Sequence, residues 1–241
     1  MTTAISPSLP AQQAQCFPCK VISDLCQAVY DIAMKIIRAI GDCFSSAPPV
    51  TPLNPPTTTL SPLTQRVTMS AAQNLVPFYR GLEANNRGVT LNQILGWDDE
   101  RLEQQHDYIQ WLFPLRTPSG PNPTAAVLDE ATINTFRTDP ALQNQVLASF
   151  RRMLTFYGLQ MDNTTRQITR APNFNARAAV WLTPGNHNFL RITRMIQSLH
   201  LLGLPDHSRA FFAIMQNIAQ NEGAGIVGNS LGFWQGALPR S

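Results

Sequence analysis

Cysteine is confined to one end of this sequence: Cys16, Cys19, Cys26 and Cys43 all precede residue 44, and the rest of the chain has none. A disulfide framework therefore cannot hold the main body together, and a thiol nucleophile or Cys/His metal cluster is excluded there. Lysine is scarcer still. Lys20 and Lys35 are the only two, and from residue 36 onward every cation is an arginine. Diffuse affinity for nucleic acid usually draws on many mobile lysines, whereas arginine alone suits planar, two-pronged pairing with carboxylate or phosphate. No specific nucleic-acid partner is expected. Residues 1–19 carry no charge at all, which removes the basic region that opens a Sec signal peptide. Such a segment reads as a disordered tail, or as the uncharged start of an effector exported by contact-dependent secretion.

What remains is enough for one core. Of 241 residues, 44% are hydrophobic and 14% charged, the balance of a folded domain with appendages. The charge is polarised: residues 1–64 are neutral, 65–133 carry a net −3 and 134–241 a net +6. Residues 20–44 place Ile22, Leu25, Cys26, Val29, Ile32, Ile36, Ile37 and Ile40 three and four apart, one apolar stripe of an amphipathic helix. Its length could cross a bilayer, but six charges are spread along it, so a transmembrane span is not expected. It could lie on a membrane surface, pair with a partner helix or pack on the domain. Cys16, Cys19 and Cys26 are acylation candidates beside it. Residues 45–64 hold six prolines and no charge, an extended spacer that tethers this helix.

From residue 65 to 222 the pattern is helix after helix. Thr90 caps a turn that Gly96 breaks. Asp98 caps a helix running to Phe113, which Pro114 ends. Asp139 and Pro140 open a helix striped with Leu142, Val146, Phe150, Met153 and Leu154 that Gly158 closes. Further helices are expected from Asn186 to Gly203 and from Asp206 onward. Runs of alternating β-branched residues are missing, so the fold class is all-α, a compact multi-helix domain. Residues 223–241 read as a Gly-rich tail.

Several motifs dissolve on inspection. Gly223-Ala224-Gly225-Ile226-Val227-Gly228 spells G-x-G-x-x-G, but a helix precedes it and only thirteen residues follow, too few for the dinucleotide fold. Glu103 and His106 are half of a di-iron carboxylate pair with no second half, so no metal is expected. No cofactor is expected either. Two stretches retain chemistry. On the expected 98–113 helix His106 and Gln110 share a face with Glu103. On the 186–203 helix His187, Arg191, Arg194 and Ser198 form a polar stripe. Paired arginines near a helix start can take an anion. They can equally neutralise acids of the 98–107 segment, together with Arg151 and Arg152.

At these residues the sequence resembles a known family, the opioid growth factor receptor conserved region, which also occurs as a lone domain in bacteria and fungi. Tyr108-Ile109-Gln110-Trp111-Leu112-Phe113-Pro114 is similar to its signature block. Phe150-Arg151-Arg152-Met153-Leu154 with Phe156-Tyr157-Gly158 is similar to its central helix, and Asn188-Phe189-Leu190-Arg191-Ile192-Thr193-Arg194 to its last signature. The resemblance spans roughly 70–220, with the leading helix and proline spacer outside it. It implies a compact helical domain and, from the animal proteins, a peptide-binding, growth-regulating role at the nuclear and perinuclear membrane. It brings no catalytic residues. Taken together, the sequence reads as a non-catalytic module binding an anionic small molecule, a peptide or a protein. Its expected contact residues are His106, Gln110, Arg152, His187, Arg191 and Arg194, and residues 20–44 are available to touch a membrane. The alternative is an enzyme or binder of a phosphorylated or nucleotide-like substrate, with His106 or His187 carrying a proton.

Overall fold

The structure, a computed structural model, describes residues 75–120, 122–223 and 225–238. The amphipathic segment 20–44, the proline spacer and Cys16, Cys19 and Cys26 lie outside the described residues. Among those described, ten helices and one small hairpin form a mostly helical domain.

Local signals set most of the boundaries. After α1 (Leu75–Tyr79), Thr90 starts α2 (Leu91–Leu95) with a full capping box, its hydroxyl and the Gln93 side chain satisfying each other's backbone N–H groups. Asp98 caps α3 (Asp99–Gln104), and the acids Asp99 and Glu100 in its first turn suit the positive end of the helix dipole. The short α4 (Ile109–Leu112) follows. Asp129 caps α5 (Glu130–Thr138). Asp139 then caps α6 (Pro140–Phe156), where proline occupies a first-turn position that needs no N–H donor.

The long α6 is the spine. Leu142, Val146, Phe150, Met153 and Leu154 are all buried, and α1, α2 and α5 pack around that stripe. Aromatic edges interlock across it: Tyr79 meets Phe136 at 4.9 Å and Phe150 meets Phe211 at 5.4 Å between ring centres. The chain leaves α6 through Gly158 at φ +73°, where a Cβ would stand 2.8 Å from the Phe174 Cα. Only glycine fits both the left-handed backbone and that approach.

Gly158 leads into two three-residue strands, β1 (Leu159–Met161) and β2 (Ile168–Arg170), paired antiparallel with Leu159 opposite Arg170. This hairpin is the one departure from an otherwise helical architecture among the described residues, and its strands are too short to show an alternating pattern. After it come α7 (Phe174–Trp181), α8 (Asn188–Leu201), α9 (Pro205–Asn221) and α10 (Ser230–Gly236). Both α9 and α10 lie against α8.

The expected helix over 98–113 is corrected: it is two helices, α3 and α4, separated by an extended Gln105 and the segment to Tyr108. The stretch 223–241, read as a Gly-rich tail, contains α10. There Trp234 is buried and its indole donates to the Phe189 carbonyl at 3.0 Å. The glycines before it make the turn from α9. A Cβ on Gly223 would meet Val227 Cγ2 at 2.8 Å, and Gly225 and Gly228 have positive φ. Close packing and a tight turn account for the G-x-G-x-x-G string.

Candidate functional site

The polar stripe of α8 is a seam. Asn188, Arg191 and Ser198 are buried, and with Arg194 they face the 102–114 segment, where α3 and α4 end. Helices of six and four residues leave most of their carbonyls without a partner in their own coil. Arg191 takes two of them, donating to Leu102 O at 3.0 Å and Gln105 O at 2.6 Å. Arg194 donates to Phe113 O at 3.2 Å and Ser198 to Pro114 O at 2.8 Å. A continuous helix over 98–113 would need the Leu102 and Gln105 carbonyls for its own N–H groups. Arg191 takes both where the chain turns extended at Gln105. The cation also complements the negative end of α3.

The balance of carboxylates and arginines is more local than the charge count implied. Glu103 accepts from Asn188 Nδ2 at 3.0 Å and stands 3.9 Å from Arg191, whose side chain is 4% exposed. Arg152 donates through two nitrogens to Trp97 O, at 2.8 and 3.2 Å, and pairs with Asp99 at 2.8 Å; Arg177 reaches the same carboxylate at 3.3 Å. Of the residues expected to face a ligand, Arg191 and Arg152 thus hold main-chain carbonyls inside the protein. Gln110 is 5% exposed. With its amide turned to satisfy both ends, its nitrogen donates to Asp107 O at 2.8 Å and its oxygen accepts from Ser119. That nitrogen also donates to His106 O at 3.2 Å, and the break at 105–108 removes the helical face the two side chains were expected to share.

Two of the six residues meet near the surface. His106 is exposed and His187 half-buried, and their rings meet edge-on at 4.8 Å. The His187 Nε2 lies 3.4 Å from a Glu103 oxygen, in ion-pair range without hydrogen-bond geometry. Burial first, then the nearby Arg191 and His106, hold the His187 pKa below its usual value against the opposing pull of Glu103. Seven residues along α8, half-buried Arg194 has one carbonyl partner and, among the described residues, no carboxylate; burial alone pushes its pKa down to about 10. Between them Leu190 is 53% exposed, a large apolar side chain at helical spacing from both. Sequence reasoning did not pick out Leu190, and only its exposure singles it out. Among the described residues no cluster of three or more His, Cys, Asp or Glu is placed to hold a metal. No described helix is long and apolar enough to cross a membrane.

The described domain coincides with a sequence family. The pattern of the opioid growth factor receptor (OGFr) conserved region matches residues 68–239. Among named proteins, the human opioid growth factor receptor is 34% identical over 169 residues, 67% of this chain and 24% of that protein. The mouse opioid growth factor receptor is 40% identical over 127 residues, 51% of this chain and 20% of its own length. Opioid growth factor receptor-like protein 1 of Xenopus tropicalis is 39% identical over 119 residues, 48% of this chain and 23% of its own. The chain therefore spans less than a quarter of the length of each of these three. No solved structure matches.

Proposed function

The chain belongs to the family of the opioid growth factor receptor conserved region, and on that footing we propose that its helical domain is a non-catalytic module that binds an acidic peptide segment. All three of these relatives carry the word receptor in their names. The contact face in this reading is the outer edge of α8 with His106. His106 and His187 supply hydrogen-bonding imidazoles, Leu190 an apolar anchor and Arg194 the positive charge. Arg152, Arg191 and Gln110 position this edge from behind. The observation that carries the reading is Arg194, a half-buried guanidinium with a single carbonyl acceptor, on one stripe with an exposed leucine and a histidine. A desolvated cation short of partners gains more from an incoming carboxylate than a solvated one does.

A peptide array read with the full chain tests this, alongside His106→Ala and Arg194→Gln, with melting temperatures measured in parallel. Acidic peptides should bind in preference to neutral ones. Binding should strengthen from about pH 7.5 to about pH 6, since an anion favours protonated His187. It should fall in both variants without a change in melting temperature. Equal binding of acidic and neutral peptides, or undiminished binding by Arg194→Gln, overturns the proposal.

One feature favours a second reading, proton transfer on a phosphorylated or nucleotide-like substrate: the succession of carboxylate and two imidazoles from Glu103 through His187 to His106. It requires turnover in a metabolite panel that His106→Ala abolishes.

A further inference from the structure

A different part of the surface holds a second set of unused donors. Four tryptophans lie among the described residues, and three give their indole N–H to a protein oxygen: Trp111 to Asn86 Oδ1 at 3.1 Å, Trp181 to Tyr157 O at 3.1 Å and Trp234 to Phe189 O at 3.0 Å. Trp97 is 9% exposed, and among the described residues its indole N–H has no acceptor. Trp97 is one of the residues lining an open depression of about 290 Å³, with Val89, Asn92, Gln93 and Arg101 among the others. The Arg101 guanidinium lies over the indole at 4.3 Å from the ring centre, and no carboxylate among the described residues pairs with it. Asp98 and Glu100 do not line the depression. Their carboxylates are turned to the Arg101 backbone N–H and to Gln104.

The depression therefore holds a cation and an indole N–H without an acceptor, and no carboxylate lines it. The guanidinium lies over the indole and makes no hydrogen bond to another described residue, which leaves its N–H donors available for a two-pronged contact with a planar anion. The Asn92 side-chain amide makes no hydrogen bond to another described residue, and the Gln93 amide oxygen is occupied by its capping box, which leaves the amide nitrogen to donate. Trp97 is held in place: its carbonyl is gripped by Arg152, and the indole is buttressed by Tyr108 with ring centres 5.8 Å apart. A prearranged set of donors loses little freedom when an acceptor arrives.

We propose that this depression is a binding site for a carboxylate group, held by Arg101 and the Trp97 indole N–H, with Val89 against the adjoining carbon. Its size admits the end of a chain or a small acid. Two sources present that group, a free carboxylic acid and the C-terminus of a polypeptide. The site is separate from the α8 edge and does not depend on the function proposed for it.

The four indole N–H groups provide the test through their proton–nitrogen NMR signals in the full chain. Acetate stands for a free acid, and one hexapeptide is used with a free or an amidated C-terminus. Trp97→Phe identifies the signal that vanishes. The Trp97 signal should move saturably while those of Trp111, Trp181 and Trp234, already bonded, stay in place. Arg101→Gln should weaken the response at least about tenfold, the loss of one charge-assisted pair. A response to acetate marks a free-acid site. A response only to the free-terminus peptide marks a chain-end site, and either supports the proposal. A still Trp97 signal with every probe, an equal response to the amidated peptide, or an unchanged response in Arg101→Gln overturns it. Loss of peptide binding at the α8 edge leaves all of these readouts unaffected.

Discussion

Arg191 and Arg101 are the same residue type on two helices, with opposite surroundings. Arg191 is buried, its donors committed to the Leu102 and Gln105 carbonyls and its charge balanced in part by Glu103. Arg101 lies on the outside over an indole, with its N–H edge uncommitted. Arginines in a signature such as Asn188–Arg194 invite a functional reading, yet here Arg191 of that signature is a joint and the plain surface Arg101 has free donors. A guanidinium has five donors, and what matters is how many of them the fold has already satisfied.

The comparison breaks most decisively at Arg191. Arg191→Met keeps the aliphatic stem but strands two carbonyls and a half-buried carboxylate, and should cost about 3–5 kcal/mol of stability in urea unfolding. A loss below about 1 kcal/mol would show that the seam holds without it.

A moderate effect is expected from acid. Burial is the leading cause that lowers the pKa of His187, His200 and His207. Arg137 and Arg209 act in the same sense on His200, and Arg166 and Arg151 on His207, where Asp206 opposes them. A histidine whose folded pKa lies below its unfolded value of about 6.5 takes up its proton more readily once unfolded. Stability should therefore be full above about pH 6.5 and fall as the pH drops below it. Melting temperatures across that range should decline, and His207→Gln should flatten the decline. A protein that melts higher in acid would contradict the assignment.

The smallest effect sharpens the other side of the comparison. Arg101→Gln should leave the melting temperature unchanged, because the charge has no carboxylate partner among the described residues to lose. A clear drop would mean that its contact with Trp97 supports the fold.

Much of the architecture was legible because its signals are local. Thr90, Asp98 and Asp139 are N-caps in the structure as the sequence implied, and the apolar stripe of α6 is the core stripe. Nothing in the periodicity marks α7 or α10, whose eight and seven residues give a helical pattern little room to repeat. The hairpin after Gly158 was hidden for the same reason, since three-residue strands cannot alternate visibly. At the candidate site the polar stripe of α8 was visible as a stripe, but the partners expected for it were an anionic ligand or the carboxylates of the 98–107 segment. They are mainly backbone carbonyls, which every residue owns and no side-chain pattern reveals. The Trp97 depression left no trace at all in the order of residues.

The amino-acid order alone determined that this is a helical domain, where most of its longer helices begin and which family it belongs to, because caps, prolines and apolar spacing act over a few neighbouring positions. Only the folded chain decided that Arg191 faces inward and Arg101 outward, that the 98–113 stretch breaks, and that Trp234 closes the domain. Those outcomes turn on contacts between segments as much as 89 positions apart, and desolvation and hydrogen bonding across such a distance have no counterpart in the local pattern.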